Sequence, residues 1–255
     1  MEIIKVKNTA YSKYEEVLLR RDNLQKEAEQ IHLDYILEFG NLITEAFEKK
    51  IECIQKKKMI AYCQRQVNQG KKIDENNLNT FIAQEMEQYR KDLQMLINDV
   101  KAVKEGKRVS ASDLEIIKKI YYKLVKMVHP DLHPDLADDE IIKDYWQRIK
   151  LAYTFNRQKE LEELELLVSS YLANKGIQNP DIEIDNLEEK IKAVEEEIKI
   201  IISTKPFTYK MLLNDETEIL RVKQEYQDEI ASYEMYSAQL DEILGTFEIQ
   251  KGELS

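Results

Sequence analysis

Lys118-Lys119-Ile120-Tyr121-Tyr122-Lys123-Leu124-Val125-Lys126-Met127-Val128-His129-Pro130-Asp131 is the stretch whose reading sets the fold. Together with Ile117, the apolar residues Ile120, Tyr121, Leu124, Val125 and Val128 recur at steps of three and four, which gathers them on one face of an α-helix. Lys118, Lys119, Tyr122, Lys123 and Lys126 take the remaining positions, and between Ile116 and Val128 there are four lysines and no acid. Pro130 cannot continue the helix, and its ring pushes His129 out of the helical region. The helix therefore ends in a polar turn that is expected to display His129 and Asp131.

Outward from this stretch the chain supplies helix signals on both sides. Ser110 and Ser112 can cap the basic helix, and Glu115 three residues beyond Ser112 completes a capping-box pattern. After the turn, Asp138-Asp139-Glu140 places acid at the positive end of a further helix. That helix is expected to run from Glu140 to near Asn174, since Gly176 is the first stop signal after it.

On the N-terminal side, residues 14–67 read as one very long helix or two joined near Gly40, with Leu24, Ala28, Ile31, Tyr35 and Leu42 near heptad spacing. A polar break at 68–72 follows. Leu78, Ile82, Met86, Tyr89, Leu93, Leu96, Val100 and Val103 then alternate steps of three and four, so the two segments are expected to form an antiparallel hairpin. On the C-terminal side, Leu187, Ile191, Val194, Ile198 and Ile201 precede a turn at Lys205-Pro206-Phe207. Ile219, Val222, Tyr226, Ile230, Tyr233, Leu240, Leu244 and Phe247 follow it, which reads as a second helical hairpin with a coiled-coil seam.

Composition agrees with this pattern. Six Gly and four Pro in 255 residues are too few turn-formers for a sandwich or barrel of many short strands. Gly70, Gly106, Gly176 and Gly252 lie in polar breaks and Pro130, Pro134, Pro180 and Pro206 mark turns, while Gly40 sits inside a helical pattern, where a kink or break is expected. The expected fold is all-α and elongated, because a 50-residue helix spans about 75 Å. It has three segments: an N-terminal coiled-coil hairpin over 1–105, a central helix pair over 106–175, and a C-terminal coiled-coil hairpin over 176–255.

Several function classes are disfavoured. A net charge of −11 argues against general binding to nucleic acid, which the mean field of such a surface repels. No window approaches the roughly 20 consecutive apolar residues of a membrane span, and the first residues lack the layout of a signal peptide, so a cytoplasmic location is expected. Cys53 and Cys63 lie roughly 15 Å apart along one helix and are read as free thiols. No Gly-rich phosphate loop, nucleophile elbow or Ser/His/Asp arrangement appears, and acid pairs carry little information among 49 acidic residues. Neither an enzyme nor a cofactor is expected.

Four lysines on one face repel one another where a solvated helix of so acidic a chain would interleave Glu with Lys. That cost points to an acidic partner, although cations near a helix C-terminus also have a local explanation in the helix dipole. Asp131 offers a carboxylate able to take a bidentate arginine from a partner, and His129 can hydrogen-bond or stack.

The basic helix Ile117-Lys118-Lys119-Ile120-Tyr121-Tyr122-Lys123-Leu124, the turn His129-Pro130-Asp131 and the segment Trp146-Gln147-Arg148-Ile149-Lys150-Leu151-Ala152-Tyr153 together resemble, in order, three parts of the J-domain (DnaJ-like) co-chaperone family. The resemblance covers residues 110–156, less than a fifth of the chain. It implies an antiparallel helix pair whose basic face and tripeptide engage a DnaK-class heat-shock chaperone and stimulate its ATP hydrolysis. On that reading His129, Pro130 and Asp131 are the trigger, and Lys118, Lys119, Lys123 and Lys126 the electrostatic contact. Ile120, Tyr121, Leu124, Ile149, Ala152 and Tyr153 are then the core joining the helices. The family's first helix, with its Tyr-Tyr and Leu-Gly signature, is missing; Leu96 to Val103 is the expected replacement. No Gly/Phe-rich linker or cysteine-rich zinc module follows, so a client protein would be gripped by the coiled-coil arms, which could also pair two copies of the chain.

Two other readings compete. One is a coiled-coil scaffold in which the J-like segment is a non-docking joint. The other is a metal site built from His129, Asp131, His133 and Asp135, which alternate along the turn. Against the metal stand the two prolines, the absence of nearby cysteine, and His32 as the only other histidine; His133 and Asp135 are expected to be solvent-exposed loop residues.

Overall fold

The computed structural model describes residues 2–105, 109–177 and 186–250, and there the chain is all-α apart from one two-residue strand pair. In chain order the elements are α1 (Glu2–Asn68), β1 (Ile73–Asp74), α2 (Glu75–Glu85), α3 (Glu87–Glu105), α4 (Ala111–Val128), α5 (Glu140–Thr154), α6 (Gln158–Asn174), α7 (Leu187–Ser203), α8 (Tyr209–Leu213), α9 (Glu216–Leu244) and β2 (Ile249–Gln250). The chain divides into two compact units, Met1–His32 with Lys107–Tyr209 and Leu33–Gly106 with Lys210–Ser255. These boundaries differ from the three segments read along the sequence, because α1 contributes to both units. The breaks expected at Gly106, Pro180 and Gly252 lie outside the described residues.

In the first unit, Ile117, Tyr121, Leu124, Val125 and Val128 of α4 are buried and Ile120 partly so, as the helical spacing requires. α5 returns antiparallel: the Tyr121 and Tyr153 rings stack at 3.7 Å, and His129 at the end of α4 meets Trp146 near the middle of α5. The first turn of α4 is capped by Ser110, which accepts from the Asp113 amide and donates to its carboxylate, rather than by a Ser112–Glu115 box. Asp139 caps α5 by accepting from the Ile141 and Ile142 amides. An ion pair with Lys175, followed by the Tyr171 hydroxyl and those amides, holds its carboxyl down to about 2.

The helix expected to run unbroken to Asn174 is interrupted. Asn156 adopts a left-handed φ of 55°, and the Arg157 amide donates back to the Ala152 carbonyl while that of Asn156 reaches Tyr153, a Schellman stop with Asn where glycine is usual. Asn tolerates this conformation without the penalty most side chains meet. Gly176 ends α6 with the same hydrogen bonds at φ 72°. The α6 residues Leu161, Leu164, Val168 and Leu172 complete the core together with Ile191, Val194 and Ile198 of α7. The stretch of α1 around Tyr14, Val17, Leu18 and Leu19 covers α4 and α5. It takes the place for which Leu96 to Val103 was the expected occupant.

In the second unit, α1 runs unbroken through Gly40. A Cβ at that position would lie 3.0 Å from a Val100 methyl, so the glycine admits α3 at close range and kinking is not its role. Contacts pair Lys104 with Asn41, Lys58 with Glu85, and Tyr62 with Phe81, descending on one side as they ascend on the other; this is the antiparallel hairpin expected from the seam. Met86 separates α2 from α3 while remaining buried in that seam.

The two stripes expected to pair as a C-terminal hairpin fall in different units. The apolar stripe of α7 enters the first unit's core, whereas α9 lies parallel to α1 at a constant offset of 185 residues, joining Glu38 to Lys223, Lys49 to Glu234, Glu52 to Ser237 and Lys56 to Asp241. Each stripe buries itself, but periodicity alone did not specify its partner. Ile73 pairs with Ile249 in a parallel two-residue bridge that no strand pattern announced. Cys53 and Cys63 are both free and buried.

Candidate functional site

The site is built where α4 stops. His129 has extended backbone, φ −62° and ψ 126°, as a residue before proline should, and its carbonyl accepts from the amides of Leu132 and His133 to close the turn. Its side chain is not displayed: His129 is 1% exposed, with its ring edge-on to Trp146 at 4.6 Å. Nδ1 accepts from the Asp131 amide at 3.0 Å, and Nε2 lies 3.4 Å from Arg21 Nη2. Burial is the largest cause holding this imidazole down to about 4; Arg21, His133 and Lys150 act in the same direction and Asp22 opposes them. His129 therefore shapes the turn from inside, and Asp131 is the residue the turn presents.

His133, expected in solvent, is also 1% exposed. Its Nε2 donates to the Lys126 carbonyl at 2.7 Å, satisfying one of the free carbonyls at the end of α4. Among the described residues its Nδ1 has no hydrogen-bond partner. Asp135 is exposed as expected. Both histidines are thus committed to backbone groups, and among the described residues no three His, Cys, Asp or Glu side chains converge to hold a metal ion.

The Asp131 side chain is 42% exposed, and Pro130 is half-buried beside it. Its nearest cation belongs to the same chain: Arg21 Nη1 lies 3.7 Å from Oδ2. Arg21 is held more closely by Asp22 at 2.9 and 3.0 Å and by Glu197 at 3.3 Å. The buried Asp22 also accepts from the Tyr121 hydroxyl at 2.7 Å, and Asn23 ties Tyr122 to Tyr153. Burial, with Asp22 next, raises the Tyr121 phenol well above its ordinary range; burial, with Asp131 next, pushes Tyr14 up to about 12.

Lys118, Lys119, Lys123 and Lys126 all project from the exposed side of α4. They do not form a uniformly free face. Lys126 pairs with Glu15 of α1 at 2.9 Å and Lys123 with Glu165 of α6 at 2.5 Å. Lys118 lies over the Tyr122 ring, and among the described residues neither it nor Lys119 has a carboxylate partner. Lys26 of α1 sits 3.8 Å above the Tyr153 ring, and its ammonium is held down to about 8, first by burial and then by Lys118.

The α1 residues Arg21, Asp22 and Asn23 were missed from sequence. One signal was available: stepping by four from Tyr14 and Leu18 along the buried stripe reaches Asp22, an acid where an apolar residue belongs. No described helix is long and apolar enough to cross a membrane. Comparison with family models, with curated proteins and with solved structures finds no match to this chain.

Proposed function

We propose that this protein is a non-enzymatic, cytoplasmic co-chaperone of J-domain type, in which α4 and the turn after it dock on a DnaK-class heat-shock chaperone and stimulate its ATP hydrolysis. One observation carries this reading: Lys118 and Lys119 of α4 are exposed and, among the described residues, without carboxylate partners, and the side chain of Asp131 in the turn after the helix is 42% exposed. Exposed cations on the helix and an exposed carboxylate on the turn after it offer an acidic patch and an arginine on a partner one contact each. The antiparallel α4 and α5, joined through Tyr121, Leu124, Ile149, Ala152 and Tyr153, support the same reading. The long helices of the second unit would then hold a client protein or a second copy of the chain.

Steady-state ATP turnover by a DnaK-class chaperone, measured with the wild type and with His129→Gln and Asp131→Asn, tests this. Stimulation by the wild type that both variants lose is the expected result. Equal turnover from all three removes the co-chaperone reading. What would remain is the scaffold, which the burial of His129 and the internal pairing of Lys123 and Lys126 favour.

A further inference from the structure

The α1 segment that crosses α4 carries, toward the docking surface, the same two charges a partner would bring. Glu15 meets Lys126 at 2.9 Å, as a partner's acid would, and Arg21 meets Asp131 at 3.7 Å, as a partner's arginine would. Glu15 is largely covered while Lys126 is 61% exposed, so the acid is fixed and the lysine is the member free to swing away. Arg21 is fixed as well, through Asp22 and Glu197.

We infer that α1, through Glu15 and Arg21, is an internal competitor for the docking surface, so that an incoming chaperone must exchange its own acid and arginine for those of α1. This rests on the docking reading above. The competition is light by construction. Arg21 keeps two other carboxylates when Asp131 turns away, and the Lys126 pair is partly solvated, so each contact resembles a surface ion pair more than a sealed one.

Removing the competitor should strengthen docking. In a titration of ATP turnover by a DnaK-class chaperone, Glu15→Gln should lower the concentration of this protein needed for half-maximal stimulation by about two- to fivefold, the range set by surface pairs of this kind. Arg21→Gln combined with Asp22→Asn should do the same; the amide oxygen at position 22 still accepts from Tyr121, and no lone charge stays buried. Glu15→Gln leaves that buried network untouched, so the test does not depend on the double variant folding. An unchanged or raised half-maximal concentration, with Asp131→Asn still abolishing stimulation, overturns the competitor and leaves docking standing. If neither the wild type nor any variant stimulates turnover, docking falls and the competitor falls with it.

Discussion

Replacing His129 with glutamine should remove a pH dependence of stability that the wild type carries. The imidazole titrates at 6.5 when unperturbed and at about 4 in the fold, because burial against Trp146 disfavours the charged ring. Between these values the unfolded chain binds a proton that the folded chain refuses, so this contribution to stability is complete above 6.5 and falls as pH drops toward 4. At 1.36 kcal/mol per pH unit the loss is about 3 kcal/mol. Asp22, Arg21, His133 and Lys150 face the ring and set its surroundings. Trp146, the chain's single tryptophan, touches the ring and reports on unfolding of this unit. Urea unfolding followed by its fluorescence should show wild type above His129→Gln at neutral pH, the gap closing by about 3 kcal/mol as pH falls to about 4. A gap that stays constant over this range would refute the buried, neutral imidazole.

Further outcomes follow from single contacts. Tyr121→Phe keeps the stack on Tyr153 but removes the hydroxyl that Asp22 accepts from, and should cost about 1.5–3 kcal/mol in urea unfolding; a loss below about 0.5 kcal/mol would mean Asp22 does not need that donor. Gly40→Ala gains about 1 kcal/mol of helix propensity but meets Val100 at 3.0 Å, a clash worth about 1–3 kcal/mol, so it should be neutral to destabilising, and Val100→Ala should rescue it. Full stabilisation by Gly40→Ala alone would show that α3 does not approach so closely. Asn156→Val should cost about 1–2 kcal/mol at its left-handed φ while Asn156→Gly costs nothing, as read by thermal melting.

Much of this architecture is legible in the residues themselves. Steps of three and four placed the buried faces of α4, α7 and α9, because a helix face needs only local spacing to be identified. What spacing cannot convey is the identity of the face opposite. The stripes of α7 and α9 look like partners in a hairpin, yet one buries itself with α4 and α6 and the other runs parallel to α1. Asn156 was unreadable as a stop because its αL tolerance matters only once the chain has reason to turn.

At the candidate site the turn and the lysines were legible, but their solvation was not. Nothing local to His129 says that Trp146 and α1 will cover it, and nothing local to Lys126 says that Glu15, more than a hundred residues earlier, will neutralise it. The polar residues that hold the site together, Arg21, Asp22 and Asn23, act through contacts about 100 residues away in sequence.

The central claim is that the lysine face of α4 receives an acidic partner, and charge reversal tests it without disturbing the fold. Lys118→Glu combined with Lys119→Glu alters two exposed side chains that have no carboxylate partner among the described residues, so the melting temperature should hold. Affinity for a DnaK-class chaperone, measured by calorimetry at low salt, should fall at least about tenfold, since each reversed charge turns an attraction into a repulsion. Unchanged affinity in a variant that melts like the wild type would contradict the account.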